Sequence, residues 1–293
     1  MSGKLIDLRR RIKSINDTQK TTRAMKTVSA VKLRKATAEL KNSRPYLTKV
    51  VHLLSQLKKK VALETFPFCQ ERSGGTCAVV AVSSDKGLCG AFNSHLIKRA
   101  EEHCQSLKEQ GEDVLLVTVG NKVFQHFQKR EEYPIKETEQ KMMARLQYAD
   151  ALKLSEYLQD IYLNGEIKTV EFVYTTFIST SSQSLCIKTL FPLKLEFEQS
   201  EEEDEADKEY IFEPAPEEIF RTYLSRYIHS LVYRTLLESS ASEHAARMIA
   251  MDMATNNAGD MIESLTLTMN KLRQASITKE LLEIITATEA MKG

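Results

Sequence analysis

Glycine and proline are scarce, at 10 and 6 of 293 residues, which excludes a collagen-like chain, while a 42% hydrophobic content suffices for a real core and excludes a disordered one. No run reaches the roughly 18 uninterrupted apolar residues of a membrane-crossing helix, so none is expected. The opening residues, Met1 to Arg11, lack the apolar stretch and small-residue cleavage site of a secretion signal. The five cysteines, Cys69, Cys77, Cys89, Cys104 and Cys186, include no C-x-x-C pair. That odd count points to a reducing compartment and argues against a disulfide framework or a zinc site. Neither G-x-G-x-x-G nor G-x-x-x-x-G-K-[ST] occurs, and Glu243-His244 lacks the second histidine of an H-E-x-x-H zinc helix. Phe, Tyr and Trp are absent from the first 45 residues.

What is present is charge, unevenly placed. Overall there are 41 Lys and Arg against 40 Asp and Glu. Residues 1–60 hold 17 of those bases against three acids, Asp7, Asp17 and Glu39, a net of +14; the other 233 residues carry 24 bases and 37 acids, a net of −13. From Leu5 to about Lys60 there is no glycine and one proline, Pro45, and good helix formers dominate. This predicts one helix of roughly 80 Å, with Pro45 as the place for a bend. Leu5, Leu8, Ile12 and Ile15 repeat at three and four, and the seam continues on Gln19, Thr22, Lys26 and Ser29. A second long helix is expected from Glu217 to Met291, interrupted only by Gly259. Its seam is Met248, Met251, Thr255, Ala258, Ile262, Leu265, Met269 and Leu272. Two long helices with narrow seams most simply pair as an antiparallel coiled coil.

The middle has another rhythm. Thr76 to Ser83 and Val114 to Gly120 are short β-rich apolar runs that suit buried parallel strands, with a helical pattern from Ala91 to Gln110 between them. Leu146 to Leu163 reads as a helix, and Val170 to Thr180 and Leu185 to Leu195 as strands. The predicted fold is α/β: a coiled coil of residues 1–60 and 217–293, an inserted Rossmann-like domain over 75–195, and a linker over 196–216. Nine acids among Glu196 to Glu209 mark that linker as a solvated loop.

Candidate chemistry is sparse. Ser84-Asp85-Lys86-Gly87-Leu88-Cys89-Gly90 leaves the first strand for a helix, where α/β folds often hold phosphate. The structural reading has the glycines permit the turn and Asp85 cap nearby amides. Cys89 has no histidine near it in sequence and makes a poor nucleophile. The histidines at 52, 95, 103, 126, 229 and 244 read as surface or packing residues. Met142, Met143 and the methionines at 248, 251, 253, 261 and 269 read as core. The basic end fits a phosphate-tracking helix without an aromatic platform, a solvated face, or a shaft sleeved by acidic protein surface. A shaft sleeved by partner protein, a nucleic-acid-binding coiled coil and an α/β enzyme with helical arms all remain open on these features.

Three segments carry a resemblance. Ser14-Ile15-Asn16-Asp17-Thr18-Gln19-Lys20-Thr21-Thr22-Arg23-Ala24-Met25 resembles the N-terminal signature of the gamma subunit of the rotary F-type ATP synthase. Ser84 to Asn93 resembles that family's central motif, through Asp85, Gly87, Gly90 and Asn93. Ser242 to Met248 and Asn270 to Leu281 are similar to its longest signature. Asp17 stands where the family usually has Asn, Thr21 where Ile is common, and Ile285 to Thr288 lacks a usual Gly-Ala. Only acids occupy the place of the chloroplast members' cysteine pair, so redox control is not expected.

The resemblance implies a shaft inside a head of three alpha and three beta subunits, one gamma to each head. It further implies contacts with the epsilon subunit and the membrane ring of c subunits, and no catalytic group, cofactor, metal or nucleic-acid partner on this chain. It places catalytic-subunit contacts at Arg273, Gln274, Thr278 and Glu280, a second belt at Arg23, Met25 and Arg247, and the membrane-ring contact at Tyr210 and Glu213, beside Phe212. The missing targeting segment favours a bacterial source, hence the cytoplasmic face of the plasma membrane.

Overall fold

The computed structural model describes residues 3–130, 133–137, 141–165, 167–195 and 212–291. Helix α1 spans Gly3–Lys58 and continues through Pro45. The helices α2 (Phe92–Glu109), α3 (Asn121–Phe127) and α4 (Tyr148–Leu163) follow, and α5 spans Pro216–Ala290. Pro216 opens α5 where its missing N–H costs nothing, and Glu217 and Glu218 meet the positive end of the helix dipole. The strands are β1 (Thr76–Val82), β2 (Val114–Val119), β3 (Ile135–Glu137), β4 (Ile167–Phe177) and β5 (Gln183–Phe191). The chain forms two compact units, Val31–Ala246 and residues 1–30 with 247–293.

In the unit Val31–Ala246 the sheet order is β3-β2-β1-β4-β5, parallel except for β5 against β4. Period-two alternation sends Ala78, Val80 and Val82 to one face and Val79 and Ala81 to the other. The first face packs on Leu154 and Leu158 of α4, Leu54 and Leu57 of α1, and Phe220, Leu224, Ile228, Val232 and Leu236 of α5. Those five α5 residues step by four, which lines one side of a helix. The second face packs on Ala100 and Cys104 of α2 and Val123 and Phe127 of α3. With both faces covered, β1 is buried from Cys77 to Val82, which is why it reads as a continuous apolar run.

Within the unit of residues 1–30 and 247–293, α1 and α5 pair antiparallel. Thr22 Oγ1 lies 2.8 Å from Thr255 Oγ1, and Lys26 Nζ donates to Asp252 Oδ1 at 2.6 Å. Most of the expected seam is buried: Leu5, Thr22 and Ser29 are buried, as are Met251, Thr255 and Ala258, and Leu8, Ile12, Ile15, Ile262 and Leu265 are half-buried, but its last residue, Leu272, is 38% exposed, level with the first turn of α1.

Two elements have no counterpart in the sequence reading. Helix α3 buries only Val123 and Phe127, and β3 has three residues, too few to show a period. The methionines need a correction as well. Met142 and Met143 are buried, in a 3₁₀ turn over Met142–Arg145, but Met253 and Met261 are 61% and 49% exposed. Helical rotation carries both away from the seam on which Met251 lies. Of the linker, residues 196–211 lie outside the described residues.

Candidate functional site

An open α/β sheet holds ligands beyond the carboxyl ends of its strands, where successive connections leave in opposite directions. Here that point lies between β1 and β4. The chain's own groups fill it. Ser239 and Ser242 of α5, both fully buried, donate to the carbonyls of Val82 (3.4 Å) and Thr175 (3.1 Å). One turn away, Glu238 accepts from Thr176 (3.0 Å) and Tyr174 (3.4 Å). Burial, with this carboxylate beside it, pushes the Tyr174 hydroxyl up to about 12.

The central motif is likewise self-satisfied. Asp85 accepts from the backbone amides of Asn121 (3.1 Å) and Ala144 (2.6 Å). Asn93 accepts the Ser84 amide at 3.1 Å and donates to Cys89 Sγ at 3.1 Å. Gly90 takes a left-handed φ of 59°, as the turn requires, but the other left-handed residue is Leu88 (63°), not Gly87. Close by, a Cβ on Gly120 would stand 2.2 Å from the Ser83 carbonyl oxygen, so only glycine fits there. His126 meets Glu101 at 2.8 Å, His103 meets Glu171, and among the described residues no cluster of three or more His, Cys, Asp and Glu is arranged to hold a metal.

The paired helices present a different kind of surface. With Thr22 level with Thr255, antiparallel counting sets Leu5 level with about residue 272. The rest of α5 therefore runs past the described start of α1, and residues 271–291 are exposed apart from Ser276. Arg273, Gln274, Thr278 and Glu280 all lie on this stretch. At 100° per residue, Arg273 and Glu280 share one stripe, and Gln274 and Thr278 lie on another roughly 100 to 140° round the helix. Thr278 turns its hydroxyl back to the Gln274 carbonyl at 3.0 Å. Of the second belt, Arg23 is exposed, Met25 half-buried and Arg247 only 8% exposed. Glu213 is exposed, the Lys60 ammonium sits 5.0 Å from the centre of the Phe212 ring, and Tyr210 lies outside the described residues.

A family model described as ATP synthase matches residues 4–291. The ATP synthase gamma chains of Pelotomaculum thermopropionicum and Moorella thermoacetica are each 40% identical to this chain, over 98% of it and 99% and 98% of their own lengths. That of Aquifex aeolicus is 39% identical over 98% of this chain and 97% of its own. The chain belongs to the ATP synthase gamma-chain family. Its fold is shared with a chain of the Euglena gracilis mitochondrial ATP synthase (TM-score 0.67, 19% identity, 99% of this chain and 95% of that one). It is also shared with a chain of the Tetrahymena thermophila central stalk and c-ring structure (TM-score 0.59, 24% identity, 80% and 99%).

Sequence reasoning about this gamma chain missed the long-range partners of its polar seam. Gln19 Nε2 donates to the Thr255 carbonyl at 3.2 Å, and Gly259 leaves room for the Gln19 side chain, since a Cβ there would lie 3.1 Å from that nitrogen. The interruption of the apolar seam at Gln19 and Thr22, matched by Thr255 and Gly259, was the available signal.

Proposed function

We propose that the chain is the central-stalk rotor of a proton-translocating F-type ATP synthase. Turning as an asymmetric shaft, it couples ion flow through the ring of c subunits to ATP synthesis and hydrolysis in a head of three alpha and three beta subunits. It also contacts the epsilon subunit and regulates ATPase activity and proton flow from the cytoplasmic face of a bacterial inner membrane. The chain itself carries no catalytic site; its switch-point crevice is filled by Ser239 and Ser242. Among the described residues no helix is long and apolar enough to cross a membrane.

The single observation behind this reading is the unpartnered end of α5. Ile277, Leu281, Leu282, Ile284 and Ile285 are each at least 50% exposed on a helix with no described α1 residue alongside. At 100° per residue these five span about 160° of the helix, a broad apolar face that calls for surface supplied by other chains. A single helix inside a three-fold ring touches each catalytic subunit differently, and only such differences shift their conformational equilibria. Reversing a 1:99 population takes about 5.5 kcal/mol, and hydrogen bonds to charged groups contribute about 1.5 to 3 kcal/mol each. Two to four such bonds from Arg273, Gln274, Thr278 and Glu280 therefore suffice, with Arg23, Met25 and Arg247 as a second belt and Tyr210 and Glu213 at the membrane ring. Arg273→Ala with Gln274→Ala should lower coupled ATP synthesis in a reconstituted complex while leaving assembly intact; undiminished synthesis refutes the residue assignment.

A further inference from the structure

From a solvent-open cavity of about 130 Å³ on the unit Val31–Ala246, lined by exposed Lys32, Lys35 and Arg145, we infer that this chain binds a phosphate group at a site built from α1, the Met142–Arg145 turn and α5. Lys32, Lys35 and Arg145 line it together with Ser240 and His244, so cations and donors from three separate parts of the chain converge on one space. The one carboxylate in the lining, Glu39, is already engaged. Its Oε2 accepts from the Tyr233 hydroxyl at 3.2 Å, and its Oε1 lies 3.8 Å from the Lys35 ammonium. Counting Glu39, the lining keeps an excess of two positive charges with histidine neutral, which suits a dianion. At about 30 Å³ per water, the volume holds roughly four waters or one tetrahedral oxyanion.

The turn that carries Arg145 is pinned at the preceding residue from two sides. The Ala144 amide donates to Asp85, and the Ala144 carbonyl accepts from Lys32 at 3.4 Å. Arg145 is thus presented by a fixed backbone, and its planar fork matches two phosphate oxygens at once. Leu237 and Met143 line the apolar side of the cavity. A free phosphate and the end of a nucleotide's phosphate tail share this chemistry.

The test is a phosphorus NMR titration of the full chain with inorganic phosphate in the millimolar range. Lys32→Gln with Arg145→Gln should weaken binding about tenfold or more, whereas Lys98→Gln with Arg99→Gln on α2 removes the same charge and should leave it unchanged. Thermal melts establish that both variants fold. Absence of binding by the parent chain, or equal weakening by both pairs, overturns the site. Displacement by ATP matching that by tripolyphosphate supports recognition of the phosphate group alone; displacement by adenosine refutes it.

Discussion

In the unit Val31–Ala246 the fully buried positions are mostly aliphatic and aromatic and lie on both faces of a sheet. In the unit of residues 1–30 and 247–293 the buried described residues are Leu5, Thr22, Ser29, Arg247, Met251, Thr255 and Ala258, four of them polar. Apolar burial stabilises at about 25 cal/mol per Å², whereas a polar contact contributes little net energy but is costly to mismatch. The sheet body is thus stabilised by its own core. The coil uses its seam to set register, and leaves its remaining apolar surface exposed.

The sharpest way to break that contrast lies in the body. Gly120→Val places a branched side chain at a φ of 91° against the Ser83 carbonyl, and denaturant unfolding should show a loss of about 4 kcal/mol or more. Next comes a matched pair of truncations. Leu158→Ala, fully buried under the sheet, should cost about 2 to 5 kcal/mol, and half-buried Leu8→Ala in the coil about 1 kcal/mol or less. Equal costs would erase the distinction between the two units. Within the coil, a double-mutant cycle on Thr22→Val and Thr255→Val should return a coupling of about 0.5 to 1.5 kcal/mol, with the double variant near parental stability; zero coupling would mean the hydroxyl pair does not set register.

The smallest effect is a pH dependence in the body. The hydrogen bond from the His103 ring holds the Glu171 carboxyl below the usual carboxylate value of 4.5, against the opposing effect of burial. A carboxyl with a lower pKa folded than unfolded contributes stability above its ordinary pKa, and that contribution is lost as pH falls through the folded value. Stability measured downward from neutral pH should therefore fall less steeply below about pH 4.5 in Glu171→Gln than in the parent chain. Parallel curves would show that the pair contributes nothing.

Most of the architecture was legible beforehand, for reasons visible in particular residues. The seam from Leu5 through Thr22 to Ser29, and its partner through Met251, Thr255 and Ala258, carries its own spacing, so burial follows from helix geometry. β1 and β2 were legible as short β-branched runs, while α3 and β3 were too short for any period to emerge. The switch-point closure was hidden because serines inside a helix are neutral locally. Ser239 and Ser242 acquire their meaning from carbonyls 157 and 67 residues away. The residues proposed as contacts at the end of α5 came from resemblance; the structure adds that all four are exposed and that they divide between two stripes.

The sequence alone determined the two long helices, the α/β insert between them and the opposed charges of its first 60 residues and the rest, because each rests on local propensity and spacing. Tertiary structure decided that the sheet's ligand crevice is closed by α5, that Thr22 stands level with Thr255, and that Lys32, Lys35 and Arg145 surround one cavity. Such contacts join residues remote along the chain, and their energies exist only once the intervening elements have packed and brought those groups within bonding distance.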